Sequence, residues 1–255
     1  MLFDSHSHMY SVKFDNDREE VFRRIKEAGV EYVLNAGADL ETSMKAIEYA
    51  QNYDMFYATV GCHPHDVKDL DEETLLLFKG LVKKPKVCAI GEIGLDYYYD
   101  HSPRDLQQYW FRRQIRLAHE VSMPIIIHDR DANDDTMKIL KEEKAFDLGV
   151  LMHCYSGSPE LARQYIHLGA KISIAGPVTF KNAKKMIEVV KTVPIENLLV
   201  ETDAPYLTPE PFRGKRNESA YVKYTAKKVA EIKKITFEET AQITCENAKS
   251  FFRIK

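Results

Sequence analysis

Apolar and polar positions along this chain alternate between two periods, giving eight strand-like runs separated by helical ones. The stretch Leu2-Phe3-Asp4-Ser5-His6-Ser7-His8 passes from apolar to polar and reads as a first strand. Alternate strand residues share a face, so Asp4, His6 and His8 project together and Ser5 and Ser7 the other way. Val21, Ile25 and Ala28 then fall on one face of a helix over residues 15–29, which a glycine stops. Residues 31–37 predict strand two, 41–51 a helix, and 55–61 strand three, which runs into Cys62-His63-Pro64-His65. A charged helix over 71–82 precedes strand four, 86–95, which carries Gly91-Glu92-Ile93-Gly94.

Ser102-Pro103-Arg104-Asp105 supplies an N-cap, a first-turn proline and an acid, a helix start. Leu106, Trp110, Leu117 and Val121 of that helix share one narrow arc. Strand five, 124–127, ends at His128-Asp129-Arg130, and a helix covers 131–143. Strand six, 149–152, ends at His153, and a helix covers 158–167. Strand seven is 171–175 and the next helix 180–191; strand eight, 197–200, ends at Glu201-Thr202-Asp203. A proline-rich loop over 204–217 leads into terminal helices from 218 onward.

Strands separated by helices call for a parallel sheet. Ile125-Ile126-Ile127 and Leu198-Leu199-Val200 are apolar on both faces, as strands buried between layers should be. Eight repeats fit a closed (β/α)8 TIM barrel better than an open doubly wound sheet, and no glycine-rich phosphate loop follows strand one. With 255 residues and 44% hydrophobic content, one domain over 1–255 is expected.

Composition narrows the function. The net charge of −3 provides no global positive field for nucleic acid or anionic lipid, so any phosphate recognition is local. Cys62, Cys88, Cys154 and Cys245 show no CxxC spacing and read as small buried side chains of a reducing compartment. A carboxylate and two histidines by residue 8, with no long apolar run, predict neither a signal peptide nor a membrane span; a cytoplasmic protein is expected.

In a barrel the carboxyl ends of the strands converge on the active face. There this chain places His6, His8, His63, His65, Glu92, His128, His153, Glu201 and Asp203, whereas His101, His119 and His167 fall elsewhere and are assigned no chemistry. Any one of these has a dull explanation as a polar residue leaving the core; the crowd at one end does not. Histidine and carboxylate donors without cysteine suit Zn²⁺, Mn²⁺ or Mg²⁺, and six are more than one tetrahedral ion needs. Two ions ~3.5–4 Å apart sharing a carboxylate would use them. Lowering the pKa of water from about 15.7 to about 7 is worth roughly 12 kcal/mol, beyond what a histidine base supplies. Asp203 is the candidate to orient that water and take its proton.

Five motifs in one order resemble the TatD family of metal-dependent deoxyribonucleases, of the amidohydrolase-like barrel superfamily. They are Asp4-Ser5-His6-Ser7-His8, Gly61-Cys62-His63-Pro64-His65, Gly91-Glu92-Ile93-Gly94-Leu95-Asp96, Pro124 through Arg130, and Glu201-Thr202-Asp203-Ala204-Pro205; the loop Arg213 to Glu218 matches too. The resemblance implies a TIM-barrel phosphodiesterase that trims DNA from the 3′ end, with two divalent ions on His6, His8, Glu92, His128, His153 and Asp203, Glu92 bridging. It also places His63 and Arg130 beside the phosphate, with His65 on the substrate side. Tyr10 stands where the family usually has Asp or Asn, and Ser219 replaces a common proline.

The residues themselves add local phosphate chemistry. Arg130 offers a guanidinium fork, Arg213, Lys215 and Arg216 follow strand eight, and Tyr97, Tyr98 and Tyr99 offer stacking surfaces for unpaired bases. The bland alternative is a solvated charge run and tyrosines that pack a loop. An acidic chain with local cations suits single strands or DNA ends better than tight duplex binding. The competing reading is a small-molecule amidohydrolase opening a cyclic amide or ester, against which Glu92 stands in place of a carbamylatable lysine. A non-catalytic metal scaffold would leave Asp203 and Arg130 without purpose. No membrane and no obligate protein partner is expected.

Overall fold

The computed structural model describes residues 1–255. Strands and helices alternate as β1 (Leu2–Ser7), α1 (Arg18–Glu27), β2 (Val30–Asn35), α2 (Leu40–Asn52), β3 (Phe56–Val60), α3 (Glu72–Leu81), β4 (Val87–Asp96) and α4 (Arg104–Val121). The second part continues with β5 (Ile125–Arg130), α5 (Asn133–Glu142), β6 (Val150–Met152), α6 (Pro159–His167), β7 (Lys171–Ile174), α7 (Lys184–Thr192), β8 (Leu198–Val200), α8 (Val222–Lys233) and α9 (Phe237–Phe251). The strands form one sheet in the order β1 to β8. The fold is the expected (β/α)8 TIM barrel. No helix is long and apolar enough to cross a membrane.

Internal contacts gather the chain into two compact units. One contains residues 1–35, 154–167 and 171–255. Here β1 pairs in parallel with β2 and β7 with β8, and Ser5 Oγ donates to Val200 O at 3.0 Å, joining β1 to β8. Phe3 stacks on Tyr32 at 5.4 Å and meets Phe252 of the chain end at 5.8 Å. The other unit contains residues 36–153 and 168–170, with β3, β4, β5 and β6 paired in parallel. Phe56, Phe78, Ile90, Ile93, Leu95 and Phe111 form its fully buried core.

Several boundaries differ from expectation, each for a local reason. The first helix begins at Arg18, because a 3-10 turn at Val12–Phe14 and a turn over residues 15–17 precede it; Asp17, at its N-cap position, gives its carboxylate to Arg216 and Arg24 and makes no side-chain cap. Ser102 does not cap α4; its hydroxyl donates to His65 O at 2.8 Å, and Pro103 takes the N-cap position. A turn over residues 180–182 delays α7, and a short 3-10 turn at Ser219–Tyr221 delays α8. Strand five extends to Arg130, because the long β4 continues beside it, pairing Gly94 with His128, Leu95 with Asp129 and Asp96 with Arg130. That pairing needs glycine: Gly94 has φ +145°, and a Cβ there would collide with the His128 carbonyl oxygen.

Two buried polar residues of α4 lie among its apolar ones. Gln107 accepts from Asp96 N at 2.8 Å and donates to Asp96 O at 3.1 Å; Gln114 accepts from Cys62 N at 2.7 Å and donates to Cys62 O at 3.0 Å. These amides satisfy backbone groups that leave the sheet and so hold the ends of β3 and β4, where the histidines begin.

Candidate metal centre

In the first unit the end of β1 is laced to the segment after β8. Asp203 N donates to His6 O at 2.9 Å and His8 N to Ala204 O at 2.7 Å. Asp203 itself sits at φ +58°, in the left-handed region, where a short polar side chain is tolerated. The result brings His6 Nε2 to 3.8 Å and His8 Nε2 to 3.5 Å from Asp203 Oδ1. These three residues offer ligand atoms within 4.8 Å of one another. Tyr10 Oη lies 2.8 Å from His8 Nδ1.

Asp4, expected to project with the two histidines, is fully buried and accepts from Thr202 N at 2.8 Å and Thr202 Oγ1 at 2.6 Å. Burial pushes its carboxyl up to about 7, against the bonds from Thr202. It therefore positions the chain on which Asp203 stands. Glu201 is buried at the end of β8, its N–H bonded to Ile174 O at 3.0 Å.

In the second unit one carboxylate oxygen meets three imidazoles. Glu92 Oε1 lies 2.8 Å from His128 Nδ1, 3.3 Å from His153 Nε2 and 3.4 Å from His63 Nε2. A second carboxylate backs the first. Asp96 Oδ2 takes His65 Nε2 at 2.8 Å and His128 Nε2 at 3.0 Å, while its Oδ1 accepts from Tyr98 N and Tyr99 N at 3.0 and 2.8 Å. Burial alone would raise the Asp96 carboxyl, but the bonds from His128 and His65 outweigh it and hold it far below the carboxylate range. Burial opposes charge on His128, yet Asp96 and Glu92 lift it to about 9. His63, buried and facing His128, is pushed down to about 4.

Imidazole nitrogens and carboxylate oxygens this close, with no thiolate among them, are a donor set for divalent ions of the zinc and manganese kind. The residues present therefore fit such a group: His6, His8 and Asp203 can hold a cation in one unit, and Glu92 with His63, His128 and His153 in the other.

The remaining predicted residues are placed unevenly. His65 lies behind Asp96, its ring 4.3 Å from that of His63. The Arg130 guanidinium carbon lies 4.1 Å from the Tyr98 ring centre and 4.7 Å from that of Tyr99. Arg213 lies over Phe180 at 4.1 Å, and Lys215 lies 5.8 Å from the Phe212 ring centre. Arg216, expected as a phosphate contact, bonds Asp17 through its two terminal nitrogens at 2.7 and 2.6 Å and so ties the loop to the start of α1. His101, assigned no chemistry from its position in a loop, packs 4.7 Å from His65 and stacks on Tyr99. Asp96 entered the sequence reading only as part of a motif, although its spacing of four from Glu92 along β4 is the same-face signal that could have found it.

Known proteins carry the same chain plan. The profile of the family described as TatD related DNase matches residues 3–253. An uncharacterized metal-dependent hydrolase of Bacillus subtilis, YabD, is 54% identical over 254 residues, covering all of both chains. An uncharacterized metal-dependent hydrolase of Escherichia coli, YcfH, is 36% identical over 257 residues, covering 99% of this chain and 96% of its own. The crystal structure of YjjV, a TatD homolog from Escherichia coli, superposes with a TM-score of 0.94 at 29% identity, over 100% of this chain and 98% of its own. With the strand-end histidines and carboxylates in place, the chain belongs to the TatD family of metal-dependent hydrolases.

Proposed function

We propose that this hydrolase is a cytoplasmic deoxyribonuclease that cleaves phosphodiester bonds in DNA, working from the 3′ side on single strands or frayed ends. The observation that carries the reading is the Glu92 carboxylate oxygen facing three imidazoles, in a chain whose family is named for DNases.

His6, His8 and Asp203 would hold one divalent ion, and Glu92, His128 and His153 a second. Such ions supply Lewis-acid charge for phosphoryl oxygens and lower the pKa of water toward about 7. Asp203 orients the attacking water and takes its proton. His63 and Arg130 hold the phosphate oxygens, Arg130 through charge-assisted bonds that its fork geometry favours. His65 lies on the substrate side of that pair, and Arg213 and Lys215 meet phosphates further along the strand.

The test is direct. Protein loaded with Zn²⁺, Mn²⁺ or Mg²⁺ is given single-stranded and duplex oligonucleotides labelled at either end, an RNA of the same sequence, and a panel of cyclic amides and esters. Stepwise loss of nucleotides from the 3′ end of DNA is expected. Intact DNA alongside an opened cyclic amide would assign the chain to small-molecule amidohydrolysis instead.

A further inference from the structure

Tyr98 and Tyr99, large side chains exposed at 58% and 49%, stand shortly after β4. The backbone beneath them is fixed. Asp96 accepts both of their N–H groups; Arg104 bonds Asp100 and the Tyr97 carbonyl; the Tyr97 hydroxyl donates to Asp135 at 2.7 Å and accepts from Gln108 at 2.7 Å. Two large rings are thus held out to solvent by a pinned segment, with little ordering left for a ligand to impose.

Their arrangement is that of a corner. Tyr98 stands at 88° to Tyr99 with centres 4.9 Å apart, and Tyr99 stacks on His101 at 5.4 Å and 12°. His65 meets Tyr99 and His101 edge-on at 5.4 and 4.7 Å. The Arg130 guanidinium lies over both tyrosine rings, at 4.1 and 4.7 Å from their centres. The Asp96 side chain that pins the corner also receives His128, one of the imidazoles on Glu92.

We propose that Tyr98, supported by Tyr99 and His101, is the stacking face for one unpaired nucleobase beside the phosphate being cleaved, with Arg130 placed between base and phosphate. The proposal rests on the nuclease reading above and adds the element that selects single strands. A base in a duplex has both faces covered by its neighbours; only an unpaired or terminal base can lie on an aromatic ring, and any base can do so.

The experiment measures kcat and KM on a single-stranded oligonucleotide and on strands with an abasic nucleotide walked through the three positions nearest the 3′ end. Tyr98→Ala is expected to raise KM about tenfold with kcat little changed, and Tyr98→Phe to restore the low KM. For the wild type, one abasic position raises KM by the same factor, and that penalty disappears in Tyr98→Ala. Tyr98→Ala with wild-type KM, or an abasic penalty that persists in it, overturns the stacking site while leaving the nuclease reading intact. A wild type that cleaves none of the strands overturns both, and the two failures are distinguished by that control alone.

Discussion

The hydroxyl of Tyr10 lies 2.8 Å from Nδ1 of His8, and this bond sets the plane of an imidazole whose other nitrogen faces Asp203. A phenol thus stands where ligating histidines commonly lean on a carboxylate or carbonyl. Tyr10→Phe keeps the ring and removes the bond. Affinity for divalent ions should fall roughly 10-fold to 100-fold, read by competition with a chromophoric chelator, with thermal unfolding nearly unchanged. Unchanged affinity would leave Tyr10 a packing residue only.

Glu92 is the carboxylate with most to lose. Replacing it by glutamine keeps the volume but puts a neutral amide among His63, His128 and His153. Elemental analysis should show less than the wild-type metal content, and turnover should drop by more than about 100-fold. Circular dichroism should report an intact barrel. Full metal content with full turnover would remove Glu92 from the centre.

The loop after β8 is anchored by a pair of charges, Arg24 and Glu218. Glu218, 4% exposed at its side chain, takes Arg24 Nε at 2.9 Å and a terminal nitrogen at 2.6 Å. Arg24→Met strands the carboxylate and should cost about 3 kcal/mol, seen as a lower urea midpoint. Adding Glu218→Gln should recover most of the loss. A double variant no better than the single one would place the cost in lost packing of the arginine stem.

Acid sensitivity can be assigned to a particular group. Glu143 is held below the usual carboxylate range, first by its bonds from Arg116, against a smaller effect of burial, and then by Arg112. Its folded pKa lies below its unfolded one, so it contributes stability above the ordinary value of about 4.3 and loses it as pH falls through the folded value. Glu143→Gln should therefore cost roughly 1 kcal/mol at pH 7, and the gap to wild type should close in acid. A gap that stays constant down to strongly acidic pH would mean that the residue acts through packing.

Much of the architecture was readable from periodicity. Runs such as Ile125-Ile126-Ile127 have few places to go except a sheet covered on both faces, and eight of them separated by helices leave few topologies. His6, His8, His63, His65, Glu92, His128, His153, Glu201 and Asp203 stood out as a crowd at the strand ends, where any one alone reads as an ordinary polar residue leaving the core. The start of α1 was not readable: the periodicity begins the helix at residue 15, whereas the fold begins it at Arg18 and gives the Asp17 carboxylate to Arg216. Gln107 and Gln114 likewise look like polar interruptions of an apolar face until the backbones they clamp are seen.

Which side chains are candidates for a metal is a local property, since strand period and strand end decide which residues leave the sheet there. What each of them meets is a long-range property. His65 and His101 are 36 positions apart and belong to different loops, yet their rings pack at 4.7 Å. Asp4, in step with His6 and His8 along β1, is drawn instead to Thr202. Strand alternation assigns a side chain to a face, but hydrogen bonding across the sheet decides whether it stays there as a ligand or is used to hold its neighbour; that partner arrives only when the chain has folded back.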